Sequence, residues 1–198
     1  MISIKLLFDS IENDNIDTKK YIHELMDWFE NNVKYGFIYN GKKVLEDDPN
    51  LQELLMKYYY LSQPNEFEKI KIGTCFDQSL YIYYKLNQHN IDADMYFIQQ
   101  HQLGYVHLFT VFNYDNNFYR FETSLDNYKF AGPFNNISDI INDTYKDIEN
   151  MYHIGKGFSF NKVNPNKLLN KKLSYKEVLF TCGFDPQKYS DYYKTHSF

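Results

Sequence analysis

Apolar residues recur at helical spacing at Ile22, Leu25, Met26, Phe29 and Val33, with Lys, Glu and Asn on the other face. This periodicity predicts an amphipathic helix beginning near Thr18, with Asp17 or Thr18 as its cap. The polar stretch 10–17 reads as a loop, and residues 1–8 as a strand or a short helix. Residues 37–44 read as a small hairpin turning at Asn40-Gly41, a pair that accepts positive φ. Leu51, Leu54, Leu55 and Tyr58 mark a second helix, started by Asp48-Pro49-Asn50 and stopped by Pro64. After Gly73-Thr74, the positions Phe76, Leu80, Tyr83, Tyr84 and Leu86 predict a helix from about Cys75 to Asn87.

The period then changes. Residues 93–99 alternate, residues 107–112 form the most β-prone run of the chain, and residues 118–123 return after a turn at 115–117. Gly132-Pro133 breaks the chain. Ile137, Ile140, Ile141, Tyr145, Ile148 and Met151 then mark another helix, and Phe158, Phe160 and Val163 a strand. Ser174 to Glu177 matches a capping box, Gly183 stands where the helix should stop, and Asp185-Pro186 opens a last short helix.

These elements predict an α+β fold in one domain over 1–198. Its parts are a helical layer (1–65), a core (66–130) and C-terminal helices with a strand (131–198). An antiparallel sheet built around 93–123 is expected to pack on the helix that starts at Cys75.

Composition narrows the function. The chain has 198 residues, 43% hydrophobic and 19% aromatic, enough for one substantial core. Its formal charge is −5 and it has no basic block, which argues against nucleic-acid binding. No apolar run is long enough to cross a bilayer, and Lys5 interrupts the apolar start where a signal peptide would continue. Two cysteines, Cys75 and Cys182, make neither a disulfide framework nor a metal-ligand spacing, and His23, His89, His153 and His196 show none either. A cytoplasmic protein without metal or cofactor is expected. The sequence does not fix the oligomeric state.

The chemistry centres on three residues. Cys75 follows Gly73-Thr74 at the head of a helix, where free N–H groups and the helix dipole favour a thiolate. His107 opens the β-prone run, and an imidazole is the natural proton carrier near neutrality. Glu122 lies on the returning strand, 15 residues after His107, the span of one two-stranded hairpin. A carboxylate there can hold the ring and fix its tautomer. Thr74, Gln78 and Gln63 are candidates for substrate or oxyanion contacts. Asp77 opposes a thiolate electrostatically, and its side chain is expected to face away. His101 is a rival base, Arg120 and Lys129 are rival partners for Glu122, and Cys182 reads as structural.

Gly-Thr-Cys-Phe-Asp-Gln-Ser, His-Leu-Phe-Thr-Val-Phe and Phe-Tyr-Arg-Phe-Glu-Thr-Ser, in that order, resemble the transglutaminase-like superfamily, whose core is papain-like. The likeness covers about the central third of the chain and is strongest to a group of bacterial members. It implies Cys75 as nucleophile, His107 as general base and acid, and Glu122 as the orienting group. Two departures are visible: Glu122 stands where Asp is usual, and Phe76 where Trp is usual. The resemblance implies acyl transfer on peptide or carboxamide bonds of a protein or peptide substrate, through a thioester. Hydrolysis (protease or deamidase) is favoured over transamidation, because water needs no second substrate pocket. The alternative is a domain that keeps this shape without the chemistry and serves as a protein-binding module.

Overall fold

The computed structural model describes residues 4–101, 104–124, 130–152 and 157–186. Lys129, His153, His196, and the tail beyond Pro186 with most of the expected last helix, lie outside them.

The architecture is mixed α+β. Helix α1 (Ile4–Asn32) is followed by strands β1 (Lys34–Tyr39) and β2 (Lys42–Leu45), then helices α2 (Leu51–Tyr58) and α3 (Pro64–Ile70). Strand β3 (Ile72–Gly73) leads into helix α4 (Cys75–Gln88). Strands β4 (Ala93–Gln100), β5 (Val106–Tyr114), β6 (Asn117–Phe121) and β7 (Phe130–Phe134) come next. Helix α5 (Ile137–Tyr152), strand β8 (Phe158–Val163) and helix α6 (Tyr175–Cys182) complete the described elements.

Two sheets form. The larger is fully antiparallel, in the order β7-β6-β5-β4-β8. The smaller has the order β2-β1-β3, with β1 parallel to β3 through Lys34↔Ile72 and Tyr35↔Gly73. The N-terminal third therefore holds the backbone that delivers Cys75.

The large sheet is covered on both faces, which explains why β5 reads as a nearly continuous apolar run. On one face, α5 packs Ile140, Ile141 and Ile148 against Tyr96, Ile98, Phe109 and Val111. On the other face lie two clusters. One joins Cys75, Phe76 and Leu80 to Met95, Phe97 and Leu108 and to Tyr175, Val178 and Cys182 of α6. The second joins Ile22, Leu25 and Phe29 of α1 to Phe67, Tyr81, Leu86, Phe112 and Phe121.

Three local expectations are corrected. Residues 10–17 are not a loop: α1 runs unbroken over 29 residues, so Asp17 and Thr18 are interior positions and cap nothing. Its sequence contains no Gly or Pro, so nothing in the polar stretch stops the helix. Pro64 does not end α2, which already stops at Tyr58; it starts α3 from the first turn, where its missing N–H costs nothing. Gly132-Pro133 lies inside β7, at a register irregularity opposite Phe118 and Arg120. An edge strand tolerates proline because its outer N–H groups have no ladder to join.

Candidate functional site: a buried Cys–His–Glu cluster

The start of α4 is built by its own sequence. Thr74 is the N-cap, and Asp77 closes a capping box by accepting from Thr74 N–H at 2.7 Å. Asp77 also accepts from Ser62 N–H at 2.7 Å and Thr74 Oγ1 at 2.9 Å. Burial pushes its carboxyl up to about 6, against the pull of the Ser62 and Thr74 N–H groups and the Thr74 and Tyr59 hydroxyls. Asp77 thus serves the cap, as the expectation that it faces away requires. The glycine before it has a packing reason: a Cβ on Gly73 would lie 2.5 Å from the Phe67 ring and 2.6 Å from Asp77 Cβ.

The β5–β6 ladder stops at Thr110↔Phe121, so His107 lies beyond the last paired residue and Glu122 just after the end of β6. The two side chains meet in that notch. His107 Nε2 is 2.5 Å from Glu122 Oε2, with each side chain only 1% exposed. The other carboxylate oxygen, Oε1, accepts from Thr123 N–H and Ser124 N–H at 2.8 Å each. Both oxygens of the Glu122 carboxylate are therefore engaged. The Cys75 side chain also acts on the imidazole, favouring its charged form. Since Nε2 faces Glu122, Nδ1 is the ring nitrogen left for sulfur.

Electrostatics follow from this geometry. Burial alone pushes the His107 imidazole down, but the Glu122 carboxylate, aided by Cys75, reverses this and brings it up to about 10. Burial works to raise Glu122, but His107, the Ser124 N–H and Arg120 outweigh it and hold the carboxyl below its usual range. Both shifts favour the ion pair, a carboxylate beside an imidazolium.

A connection the sequence reading missed aligns the two halves. Ser79 Oγ donates to Leu108 O at 2.7 Å, and Thr110 Oγ1 donates to Ser79 O at 3.0 Å. This crosslink ties α4, one turn past Cys75, to β5, one residue past His107. Nothing in the spacing of a Ser and a Thr 31 residues apart signals it.

The secondary candidates separate. Thr74 is 1% exposed, with its N–H and hydroxyl committed to the cap, so it has no donor for an oxyanion. Gln78 turns back, donating from Nε2 to Gly73 O at 2.7 Å, and so braces the loop before Cys75. Gln63 is corrected most clearly. Its Nε2 donates to Leu168 O and Lys171 O, and its Oε1 accepts from Asn170 N–H. Both amide hydrogens are spent on the 168–171 loop, at a cleft of about 490 Å³ lined also by Tyr60, Glu66 and Lys172. His101 faces Ser159 Oγ at 3.2 Å. Glu122 is not a surface residue paired with Arg120; that guanidinium binds Asp147. Cys182 packs in the same apolar cluster as Cys75, and burial, with Cys75 nearby, pushes its thiol up.

Among the described residues no group of three or more His, Cys, Asp or Glu side chains is arranged to hold a metal ion, and no helix is long and apolar enough to cross a membrane. Fold and site together define an α+β protein with a thiol, an imidazole and a carboxylate connected in series. No family model and no curated protein matches the chain.

Proposed function

We propose that the chain is a cysteine-nucleophile acyl-transfer enzyme of the transglutaminase-like, papain-cored kind, acting on a carboxamide or peptide bond. The observation that carries this reading is the connected series Cys75–His107–Glu122, with the His107–Glu122 contact at 2.5 Å. An imidazolium held by a buried carboxylate cannot take a proton from a thiol, but it stabilises a thiolate beside it. Cys75 at the first position of α4 adds the favourable end of the helix dipole.

In this mechanism Cys75 Sγ attacks the carbonyl carbon and the C=O electron pair moves onto oxygen. Cys75 N–H, at the first position of α4, is a helix-end donor that can meet the developing charge. The tetrahedral species collapses as the imidazolium gives its proton to the departing nitrogen, leaving a thioester and a free amine. Neutral His107 then takes a proton from water as its oxygen attacks the thioester. The carboxylic product leaves and the thiolate returns. Cys75 is 4% exposed, which keeps bulk water from the intermediate.

The test is iodoacetamide labelling followed by mass spectrometry, for wild type and His107→Ala. Labelling of Cys75 that is fast in wild type and slow in the variant supports the reading. Equal, slow labelling in both overturns it. A second reading, a binding module without chemistry, draws on exposed aromatics such as Tyr60 at 53% and Phe160 at 50%. Full biological activity in Cys75→Ala would favour that module.

A further inference from the structure

The sheet carries one charge that the acyl-transfer chemistry does not use. Arg120 on β6 is completely buried, and a buried guanidinium is costly unless well paired. Three partners come from α5. Nη1 donates to Thr144 Oγ1, Nη2 to Asp147 Oδ2 at 2.5 Å, and Asp143 Oδ2 lies at 3.4 Å. Thr144 is itself anchored, donating to Ile140 O. An apolar side chain would join the strand to the helix just as well, so the charge calls for another explanation.

Its position supplies one. Arg120 lies two residues before Glu122, on the same face of the strand by alternation. Strand β6 ends between them, and Glu122 Oε1 is gripped by the two N–H groups that follow. Whatever fixes Arg120 fixes the turn that aims the carboxylate.

We propose that Arg120, clamped by Thr144 and Asp147 of α5, is a positioning residue for Glu122 and sets the charge balance under which His107 holds its proton. This rests on the reading of His107 as the proton carrier. The charged and titratable groups around His107 and Glu122 among the described residues are Cys75 from α4, Tyr105 stacked on the ring, Arg120 from β6 and Asp147 from α5, with Asp143 beside Arg120. Arg120 favours the ionised form of Glu122, and Glu122 in turn opposes ionisation of Asp147, as expected if the four charges act as one network.

The network makes a prediction of opposite signs. In Asp147→Asn the positive charge of Arg120 loses its counter-ion, and the His107 titration midpoint moves down by about half a unit or more. In Arg120→Gln the carboxylates of Asp147 and Asp143 are left in excess, and the midpoint moves up by a similar amount, roughly half a unit. The measurement is NMR titration of the His107 ring in nitrogen-15-labelled protein across the neutral and alkaline range. Midpoints displaced in opposite directions support the proposal. A mere brace would loosen the site in both variants, and both midpoints would fall towards free histidine; that result, or no movement in either, overturns it. Where Arg120→Gln does not fold, the double variant with Asp147→Asn replaces it. A midpoint within about 0.3 of wild type then supports the charge balance, and a fall towards free histidine overturns it. The readout does not involve reaction at sulfur. Opposite shifts alongside an unreactive Cys75 would therefore retire the acyl-transfer reading and leave the role of Arg120 standing.

Discussion

His107 Nε2 and Glu122 Oε2 face each other at 2.5 Å, with both side chains shielded from solvent. A carboxylate and an imidazole this close, in so little water, share their charge states: neither is ionised cheaply alone. The hairpin places them, and the Thr123 and Ser124 N–H groups fill the other side of the carboxylate.

Replacing Glu122 by Gln keeps size and hydrogen-bonding capacity but removes the charge that keeps the ring protonated. Alkylation of Cys75 at neutral pH should slow by about 10²-fold, the usual scale of a proton-transfer contribution. Unchanged labelling would show that the carboxylate does not act through His107.

Stability should depend on pH through the same pair. The His107 value is raised from 6.5 to about 10, so its contribution is full below 6.5 and fades as pH rises through 10. Glu122 is depressed from 4.5, so its contribution is full above 4.5 and is lost as pH falls through the folded value. The gap in melting temperature between wild type and His107→Gln should be widest between these limits and close on the alkaline side. A gap that stays constant into the alkaline range would contradict the raised imidazole.

Gly73→Ala inserts a methyl group against the Phe67 ring and the Cβ of the capping aspartate. The expected cost is about 1–3 kcal/mol in urea unfolding, with slower Cys75 labelling because the start of α4 must shift. Wild-type stability in this variant would mean that the loop has room it does not show.

Asp77→Ala strips the acceptor from Ser62 N–H, Thr74 N–H and Thr74 Oγ1 together. Losing a cap and leaving buried donors unpaired should lower unfolding free energy by about 2 kcal/mol or more. Denaturant midpoints for wild type and variant check this.

The two thiols should differ. Burial, with Cys75 nearby, pushes the Cys182 thiol up, whereas Cys75 lies beside the His107 imidazole. Peptide mapping after brief alkylation of the folded protein should find Cys75 modified at least roughly tenfold more than Cys182. Equal modification would place the two sulfurs in equivalent surroundings.

What the sequence made legible was local. Gly73-Thr74 before an apolar period announce the start of α4, Ser174 and Glu177 that of α6, and the Asn40-Gly41 and 115–117 turns announce their hairpins. From the second hairpin, the approach of Glu122 to His107 follows by counting along two strands. Pairings across distant elements were not legible. The Ser79–Thr110 crosslink and the Arg120 clamp depend on which face of which helix lands on the sheet, and a hydroxyl or a guanidinium on an otherwise apolar strand looks solvent-facing in one dimension. Pro64 and Gly132-Pro133 misled for a related reason: each is a breaker only in a particular backbone setting, and a first turn or an edge strand is not one.

Part of the apolar cluster around Cys75 comes from the last third of the chain, which supplies Leu168, Tyr175, Val178, Leu179, Cys182 and Phe184. During synthesis, the thiol, the imidazole and the carboxylate all leave the ribosome before any of these residues exists. The nascent chain therefore carries an unroofed sulfur for as long as translation of some sixty further residues lasts, roughly several seconds at ordinary elongation rates. Electrophiles in the surrounding fluid meet Cys75 more easily in that interval than once these six side chains have packed.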